Sequence, residues 1–426
     1  VTVSGSPMRM AAGGITGVCE GTVTRCSNGA NVVCDGDYGA NISLGGIAGQ
    51  TSSYFVIENC INKGDLTAIG VPHCGGIIGR ILDYQVTVID CSNYGEVHSI
   101  IYANRESKIT SGGIVGLDET SLSNAINCNN YGSIYSEDHK VGNISYYAKF
   151  VYSGGIVGAG ANGIESCSNA GYISSEGYNS YCGGIAGGEC KEIRSCINNG
   201  TVWAGYAWGS SGSDTRTTRG GGIIGEGNTN IYECVNNENI TGGLGFLAGI
   251  AGYCSGTIRQ CVNNGNVSPG SNSRAGGIIA GGSANVSLCV NMGKVSETND
   301  NKFSTAVTIS NTVNAYGASP DSKGTGITIS NGKSVFCCSE TRNSNSGTFY
   351  TFSELGDSNT YPASWNIGTN WIINPDWNSG LPLPAGLPYK PLSDSVIFLK
   401  PGDEATLDAQ FSVAQWGSDN TTIAIC

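Results

Sequence analysis

The chain has 426 residues, of which 66 are glycine and only 13% are charged, and its formal net charge is −12. Only 21 residues are Lys or Arg, too few for the basic surface that nucleic-acid binding requires, so we expect no nucleic-acid partner. No apolar run approaches the roughly 20 residues that span a bilayer, so we expect no membrane insertion within this chain.

Many of the glycines belong to a repeated tetrad, Gly-Gly-Ile-x, which recurs with small changes in nine units. The tetrad isoleucines, which number coils 1 to 9, are Ile15, Ile47, Ile77, Ile114, Ile156, Ile185, Ile223, Ile250 and Ile278. A cysteine follows each isoleucine after 11 residues in six units, 13 in one and 14 in two. Such constant spacing predicts a repeat protein.

Each of these cysteines begins a second block, Cys-x-Asn-x-Gly, which is followed by Val, Ile or Leu with small departures. The cysteines are Cys26, Cys60, Cys91, Cys128, Cys167, Cys196, Cys234, Cys261 and Cys289. The asparagines are Asn28, Asn62, Asn93, Asn130, Asn169, Asn198, Asn236, Asn263 and Asn291.

The units predict an all-β fold, a right-handed parallel β-helix (β-solenoid) of about nine to ten coils. Each unit reads as three short strands that cannot bury an apolar face alone, so the units must stack. Stacking superimposes identical residues about 4.8 Å apart. We therefore expect isoleucine and cysteine columns in the core and an asparagine column that passes amide hydrogen bonds between coils. Glycine is expected to supply positive φ angles at the corners.

The pattern resembles the GLUG-repeat family of bacterial surface and secreted proteins over roughly residues 11–300. The resemblance rests on the Cys-x-Asn-x-Gly blocks and on copies of Gly-Gly-Ile-x-Gly, of which five lie in coils 2 to 6. These copies are Gly45–Gly49, Gly75–Gly79, Gly112–Gly116, Gly154–Gly158 and Gly183–Gly187. The resemblance implies a β-solenoid of the kind found in surface-anchored adhesins and in non-catalytic parts of large secreted peptidases.

Regularity fades after Val295, and three segments are predicted. Residues 1–340 form the solenoid, with Thr305–Ser310 and Gly326–Ser330 as candidates for irregular final coils. Residues 341–390, rich in Trp and Pro, are interpreted as a C-terminal cap, because an open solenoid end needs cover. Residues 391–426 resemble the front half of a bacterial Ig-like domain, so we expect the chain to be one segment of a longer modular surface protein.

The sequence offers no strong candidate for a catalytic, metal or cofactor site, and we predict none of these. The chain has only three histidines: His73, His98 and His139. The repeated cysteines are interpreted as free, buried, structural thiols, because bonding between in-register neighbours would be strained. Disulfides between cysteines outside the column remain open.

An enzyme is the main alternative, because parallel β-helices include polysaccharide lyases and hydrolases. Their chemistry needs carboxylates clustered on adjacent coils, and no acidic residue recurs at one repeat position. The best acidic groups are Asp118 with Glu119, Glu137 with Asp138, and Glu189 with Glu192. Each is more typical of a solvated turn than of a site.

Insertions in three units indicate where a ligand could bind. The closing apolar residue lies 10 to 12 positions before the next tetrad isoleucine in four units, but 17, 22 and 21 positions before Ile114, Ile156 and Ile223. Loops on a rigid scaffold commonly carry function. The aromatic candidates for ligand binding are Tyr146, Tyr147, Tyr152, Trp203, Tyr206 and Trp208. Covering the flank of the solenoid is the other interpretation of these rings.

These observations predict a non-catalytic, extracellular adhesin or spacer segment, secreted or attached to a bacterial cell surface. The expected partner is a host or environmental glycan or an extracellular protein, because exposed aromatic rings suit both. A carbohydrate-active β-helix enzyme and an accessory module of a secreted peptidase remain the alternatives.

Overall fold

The computed structural model confirms the predicted fold class: the chain forms a parallel β-solenoid whose coils stack in register. The structure describes residues 2–5, 9–36, 41–51, 54–70, 72–82, 85–102, 108–139, 150–177, 179–206, 217–270, 273–291, 293, 295–296, 308–310, 328–329, 357–361, 363–373 and 382–387. Residues 391–426, the predicted Ig-like segment, lie outside the described residues.

Each coil contributes to four sheets through five strands, or four in coils 5 and 6, where the sequence indicated three strands. The chain passes through sheets A, B, C and D in that order, and crosses sheet C in two successive strands or one long strand. Sheet A contains Thr2–Gly5, Val32–Gly36, Leu66–Ile69, Val97–Tyr102, Ile134–His139, Ile173–Gly177, Val202–Tyr206, Ile240–Gly242 and Val267–Ser268. Sheet B contains Arg9–Gly13, Asn41–Gly45, His73–Gly75, Lys108–Gly112, Phe150–Gly154, Asn179–Gly183, Thr217–Gly221, Gly245–Ala248 and Arg274–Gly276.

Sheet C is the largest sheet, with 18 strands. Its first half contains Thr16–Cys19, Ala48–Thr51, Ile78–Ile81, Val115–Asp118, Val157–Glu165, Ala186–Arg194, Ile224–Gly227, Ala251–Cys254 and Ile279–Gly282. Its second half contains Val23–Thr24, Phe55–Glu58, Val86–Ile89, Asn124–Ile126, Asn230–Tyr232, Thr257–Arg259, Asn285–Ser287, Thr308–Ser310 and Thr328–Ile329, and the long strands of coils 5 and 6 run through both halves.

Sheet D consists of two-residue strands that end on the repeated asparagine. These strands are Ser27–Asn28, Ile61–Asn62, Ser92–Asn93, Asn129–Asn130, Ser168–Asn169, Ile197–Asn198, Val235–Asn236, Val262–Asn263 and Val290–Asn291. Every pair is parallel, and equivalent residues face each other, as Asn62 and Asn93 do. Nine coils at the ordinary strand spacing give a core roughly 40 Å long.

Two large apolar clusters make up most of the interior. One holds the tetrad isoleucines of coils 2 to 9, the cysteine column and the inward residues of sheet C, such as Ile57. The isoleucine column does not extend into the core of coil 1, where Ile15 is 48% exposed. The other holds the inward residues of sheets A and B, such as Leu66 and Leu44. The cross-section narrows between the clusters, because the Gly-Gly corner between sheets B and C turns inward and meets the asparagine column.

The narrow cross-section explains the paired glycines of the tetrad. A Cβ atom on Gly46 would lie 2.1 Å from the carbonyl oxygen of Gly76 and 2.4 Å from Cγ of Asn62. A Cβ on Gly49 would lie 2.5 Å from the backbone oxygen of Ala12 in the preceding coil. Close approach therefore requires glycine here. The expectation of positive φ was wrong for these corners, because no tetrad glycine is among the described residues with positive φ.

Positive φ occurs instead at the residue before each repeated cysteine. In all nine coils this residue adopts φ between 51° and 57°, although none of the nine is glycine. They are Arg25, Asn59, Asp90, Asn127, Ser166, Ser195, Glu233, Gln260 and Leu288. The left-handed conformation costs roughly 1–2 kcal/mol for a residue with a Cβ, so the stacked coils must hold each of these corners in place.

The asparagine column forms a continuous buried ladder of amide hydrogen bonds. Asn62 Nδ2 donates to Asn93 Oδ1 over 2.8 Å, and Asn93 Nδ2 donates to Asn130 Oδ1 over 2.8 Å. The same nitrogen also donates within its own coil, as from Asn62 to the Gly64 carbonyl at 2.8 Å. Each amide therefore joins neighbouring coils and closes its own turn.

The cysteine column packs beside this ladder, and the fifteen described cysteines are free. The backbone nitrogen of Cys60 donates to the sulfur of Cys91 at 3.4 Å, and the thiol of Cys91 donates to the Ile89 carbonyl at 3.2 Å. The pKa of the Cys128 thiol is raised well above its usual value, mainly because the thiol is buried. The repeated thiols of coils 2 to 9 lie in the core as small, mostly apolar side chains, whereas Cys26 in coil 1 is half-buried.

Sheet C continues beyond the ninth tetrad. Thr308–Ser310 pairs in parallel with Asn285–Ser287, and Thr328–Ile329 pairs with Thr308–Ser310. These strands fall inside the two segments that the sequence marked as irregular coils.

The Trp strap, defined as residues 357–361, 363–373 and 382–387, contains the antiparallel pair Trp371–Ile372 and Leu383–Pro384. It also contains the 3-10 helices Ser358–Thr360 and Ala363–Trp365. Trp365, Trp371 and Leu383 pack against the outer face of sheet D, on Ile197, Val235, Val262 and Val290. The described part of the predicted cap thus covers the side of the solenoid. Coils 6 to 9 carry apolar residues at this outward position, where coils 1 and 3 to 5 carry Ser or Asn.

Candidate ligand-binding surfaces

All three long insertions connect sheet A to sheet B, so they begin and end at one edge of the solenoid, the A–B edge. They join Val97–Tyr102 to Lys108–Gly112, Ile134–His139 to Phe150–Gly154, and Val202–Tyr206 to Thr217–Gly221. The candidates Tyr146, Tyr147 and Trp208 fall in these connections, outside the described residues. The sequence placed the insertions in one sector, and the flanking strands agree with that placement.

Trp203 lies in a strand directly before the third connection. It stands on the outer face of sheet A, paired with Ser174 and Thr241 of the neighbouring coils. A Cβ on Gly205 would lie 2.1 Å from the Trp203 ring, so the ring lies over this glycine. The side chain is half-buried. Tyr206 ends the same strand at the A–B edge, whereas Trp203 lies near the start of the strand and its ring reaches toward that edge over Gly205.

Tyr152 does not belong to an exposed loop, contrary to the interpretation of the sequence. It lies in the strand Phe150–Gly154, and its side chain is only 4% exposed. Its hydroxyl donates to Glu189 at 3.3 Å, and its ring centroid is 4.9 Å from that of Tyr181. Tyr152 occupies the concave corner between sheets B and C, where outward side chains from both sheets meet. It is therefore a packing residue.

The concave corner continues along the solenoid as a column of aromatic and charged side chains. Arg219 lies 5.2 Å from the Tyr181 ring and 4.2 Å from the Tyr253 ring, and forms an ion pair with Glu226. Burial is the main cause that raises the pKa of Tyr181 to about 12. These contacts bind successive coils together outside the main core.

His73 begins this column as a buried neutral side chain. Its Nδ1 is 2.9 Å from the Thr110 hydroxyl. Burial, followed by the nearby charges of Arg80 and Lys108, lowers the pKa of His73 to about 3. The ring therefore stays uncharged at neutral pH.

A row of tyrosines that the sequence interpretation missed lies on and beside the outer face of sheet A. Tyr94 and Tyr131 stack with centroids 4.7 Å apart, and Tyr135 and Tyr172 are 5.8 Å apart. The sequence did contain a signal, because Tyr94 and Tyr131 directly follow the repeated asparagine in coils 3 and 4. Their faces are turned toward each other, so this row mainly joins neighbouring coils.

The acidic candidates are engaged in local contacts. Asp118 accepts hydrogen bonds from the backbone nitrogens of Thr120 at 3.0 Å and Ser123 at 2.9 Å, and so closes a turn. Glu119 forms an ion pair with Arg80.

Other acidic candidates also have charged side chains as neighbours. Glu137 lies 3.2 Å from Nε2 of His98, and Glu189 pairs with Lys108. Glu192 lines a surface pocket and forms an ion pair with Arg194. Within the described part of the chain, no three His, Cys, Asp or Glu side chains gather in a group that could hold a metal ion.

These features define the class of the protein as a parallel β-solenoid with long connections at one edge. No protein-family model matches the chain, and searches of curated proteins and of solved structures find no significant match. The described residues include no helix long and apolar enough to cross a membrane.

Proposed function

We propose that this chain is a non-catalytic, extracellular segment of a bacterial cell-surface protein that holds a ligand-binding edge on a rigid rod. The observation that carries this proposal is the placement of the three long connections, which all leave sheet A and enter sheet B. A rigid scaffold with long loops on one side is a common arrangement for recognition.

The stiffness of the rod supports the proposal. Every described coil from 2 to 9 is tied to its neighbours by the asparagine ladder, with Nδ2-to-Oδ1 distances of 2.7 to 2.8 Å between coils. Such a rod keeps the loops at a set distance from whatever anchors the parent protein. The resemblance of the repeat to GLUG arrays of bacterial surface proteins favours the same role.

The proposed partner is a host or environmental glycan or an extracellular protein. The strand that leads to the A–B edge carries Trp203 and ends at Tyr206, and the connections that follow contain further aromatic residues. Aromatic rings supply apolar area at low entropic cost and stack on the faces of sugar rings.

The test is a screen of the purified chain on glycan and extracellular-matrix protein arrays. The Trp203→Ala/Trp208→Ala double variant should lose the binding that the parent chain shows. Tyr94→Ala is the matched control, because Tyr94 is 37% exposed and follows the sheet D asparagine, away from the A–B edge. Binding that survives the double variant would exclude the A–B edge as the site.

A further inference from the structure

A gap interrupts one outward row of the second half of sheet C. Successive coils place Thr87, Asn124, Gly163, Glu192 and Asn230 side by side in this row. Gly163 has no side chain, and the nearest atom to a Cβ built there is Asn124 Oδ1, at 3.0 Å. Gly163 is one of the residues that line a pocket of about 340 Å³ on the surface of coils 4 to 7.

The pocket is lined by polar groups of both kinds. Asn124 and Asn162 contribute amides, and the lining also includes Ile164, whose side chain belongs to the core. The lining also contains two carboxylates, Glu165 and Glu192, and two cations, Lys191 and Arg194. The charges balance, so the pocket favours a neutral ligand that both donates and accepts hydrogen bonds.

Contacts around the pocket hold Arg194 in position. Its Nε is 3.2 Å from Glu192, its Nη1 is 3.7 Å from Glu233, and its guanidinium lies 4.5 Å from the Tyr232 ring centroid. Arg194 and Glu192 are 37% and 44% exposed, and an ion pair this exposed adds only about 0–1 kcal/mol to stability. Its larger effect is to reduce the freedom that these side chains would lose on binding a ligand.

Hydrogen bonds also orient the asparagine amides that line the pocket. Asn162 Nδ2 donates to Asn124 Oδ1 at 3.1 Å, so Asn124 keeps an NH2 group to donate and Asn162 a carbonyl to accept. Asn230 Oδ1 accepts from the backbone nitrogen of Thr257 at 3.1 Å, which leaves its NH2 group as a donor.

We propose that this pocket binds one neutral pyranose unit of a glycan, at a site separate from the A–B edge. A pyranose carries several hydroxyl groups, each of which donates and accepts, and these match alternating amide, carboxylate and guanidinium groups. The volume is near the lower end of the roughly 300–1,000 Å³ typical of small-molecule sites, which fits a single sugar unit. The proposal does not depend on the function proposed for the loops.

Gly163→Asn is the direct test. The neighbouring coils carry Asn124 and Glu192 at the same position, so the strand accepts a side chain there and the fold should persist. Thr87→Asn is the matched control, because it makes a comparable change in the same row two coils away. Asn162→Ala is a second variant, which removes one lining amide at an exposed position.

The measurement is saturation-transfer NMR with methyl glycosides of glucose, galactose, mannose and N-acetylglucosamine, each at millimolar concentration. We expect at least one to bind the parent chain and the Thr87→Asn control, with at least tenfold weaker binding to Gly163→Asn and a measurable loss in Asn162→Ala. No binding to the parent chain, or equal binding to Gly163→Asn, would overturn the proposal. Methyl glucuronoside is measured beside them, and a preference for it over the neutral glycosides would overturn the ligand class.

The same NMR measurement distinguishes binding at this pocket from binding at the A–B edge. The Trp203→Ala/Trp208→Ala variant should bind the monosaccharide as the parent chain does. Loss of the monosaccharide in that variant would show that the sugar occupies the A–B edge, and would refute a separate pocket on sheet C.

Discussion

Replacing Asn130 with alanine should destabilise the solenoid far more than replacing its sequence neighbour. Asn130 is fully buried and takes part in three hydrogen bonds. It donates to Asn169 Oδ1 at 2.7 Å and to the Gly132 carbonyl at 2.8 Å, and it accepts from Asn93 at 2.8 Å. Each lost bond leaves a buried polar group short of a partner, at about 1–3 kcal/mol, so the total loss should be at least about 3 kcal/mol.

Asn129→Ala is the control for this prediction. Asn129 belongs to the same two-residue strand, but its side chain faces outward, is only half-buried and accepts from the Ser168 hydroxyl at 2.6 Å. Water can replace that bond, so the loss should stay below about 1 kcal/mol.

Urea unfolding followed by far-UV circular dichroism measures the loss of stability in both variants. Hydrogen exchange should also show weaker protection centred on coils 4 and 5, because each coil of a solenoid depends on its neighbours. Similar losses in the two variants, or a loss below about 1 kcal/mol in Asn130→Ala, would refute a stabilising asparagine ladder.

Three further predictions concern a corner, a thiol and the Trp strap. Ser166→Gly should raise the free energy of unfolding by up to about 1 kcal/mol in urea melts, because φ at Ser166 is 54°. Burial raises the pKa of the Cys34 thiol to about 11, so this thiol stays neutral in the folded protein at moderately alkaline pH. In the unfolded chain the same thiol ionises with a pKa of about 8.5. Stability should therefore fall as pH rises from about 8.5 toward 11, by about 1.4 kcal/mol per pH unit for each such thiol. Trp371→Ala should weaken the docking of the Trp strap on sheet D by about 3–5 kcal/mol. The loss should be seen as faster proteolysis within residues 357–387, while the circular dichroism signal of the coils persists.

Each of these three has a matched comparison in the same part of the chain. Ser168→Gly, in a strand of the same coil without positive φ, should be destabilising. An equal effect at both serines would contradict the explanation that the left-handed conformation of Ser166 is strained. Cys34→Ala should make the fall of stability above pH 8.5 shallower, and an unchanged slope would contradict burial of a neutral thiol. Thr369→Ala, at an exposed position of the strap, should leave proteolysis unchanged.

The sequence predicted the repeating part of the fold well, because a solenoid places equivalent residues of successive units one above another. Regular spacing was enough to predict that Asn93 would meet Asn62 and Asn130, and that Cys91 would lie in the core. The sector of the long insertions followed from the same regularity, because an insertion at one point of the repeat must leave the coil at one place.

The prediction failed where a contact depends on the path of the chain around the coil. Tyr152 looked like a loop residue because it follows a long insertion, yet the concave corner between sheets B and C buries it. The Gly163 pocket was also missed. It includes a position where one coil lacks a side chain that its neighbours carry, a difference that is visible only once the strands are in register.

The sequence by itself determined that the units stack, how many repeat and which residues form columns, because those properties depend only on periodicity and on burial of one apolar face per strand. The tertiary structure decided the shape of the cross-section. The inward turn at the tetrad requires glycine through close approach, the left-handed corner falls before each cysteine, and the Trp strap lies along sheet D. These features are contacts between segments distant along the chain, and no local pattern in one repeat specifies them.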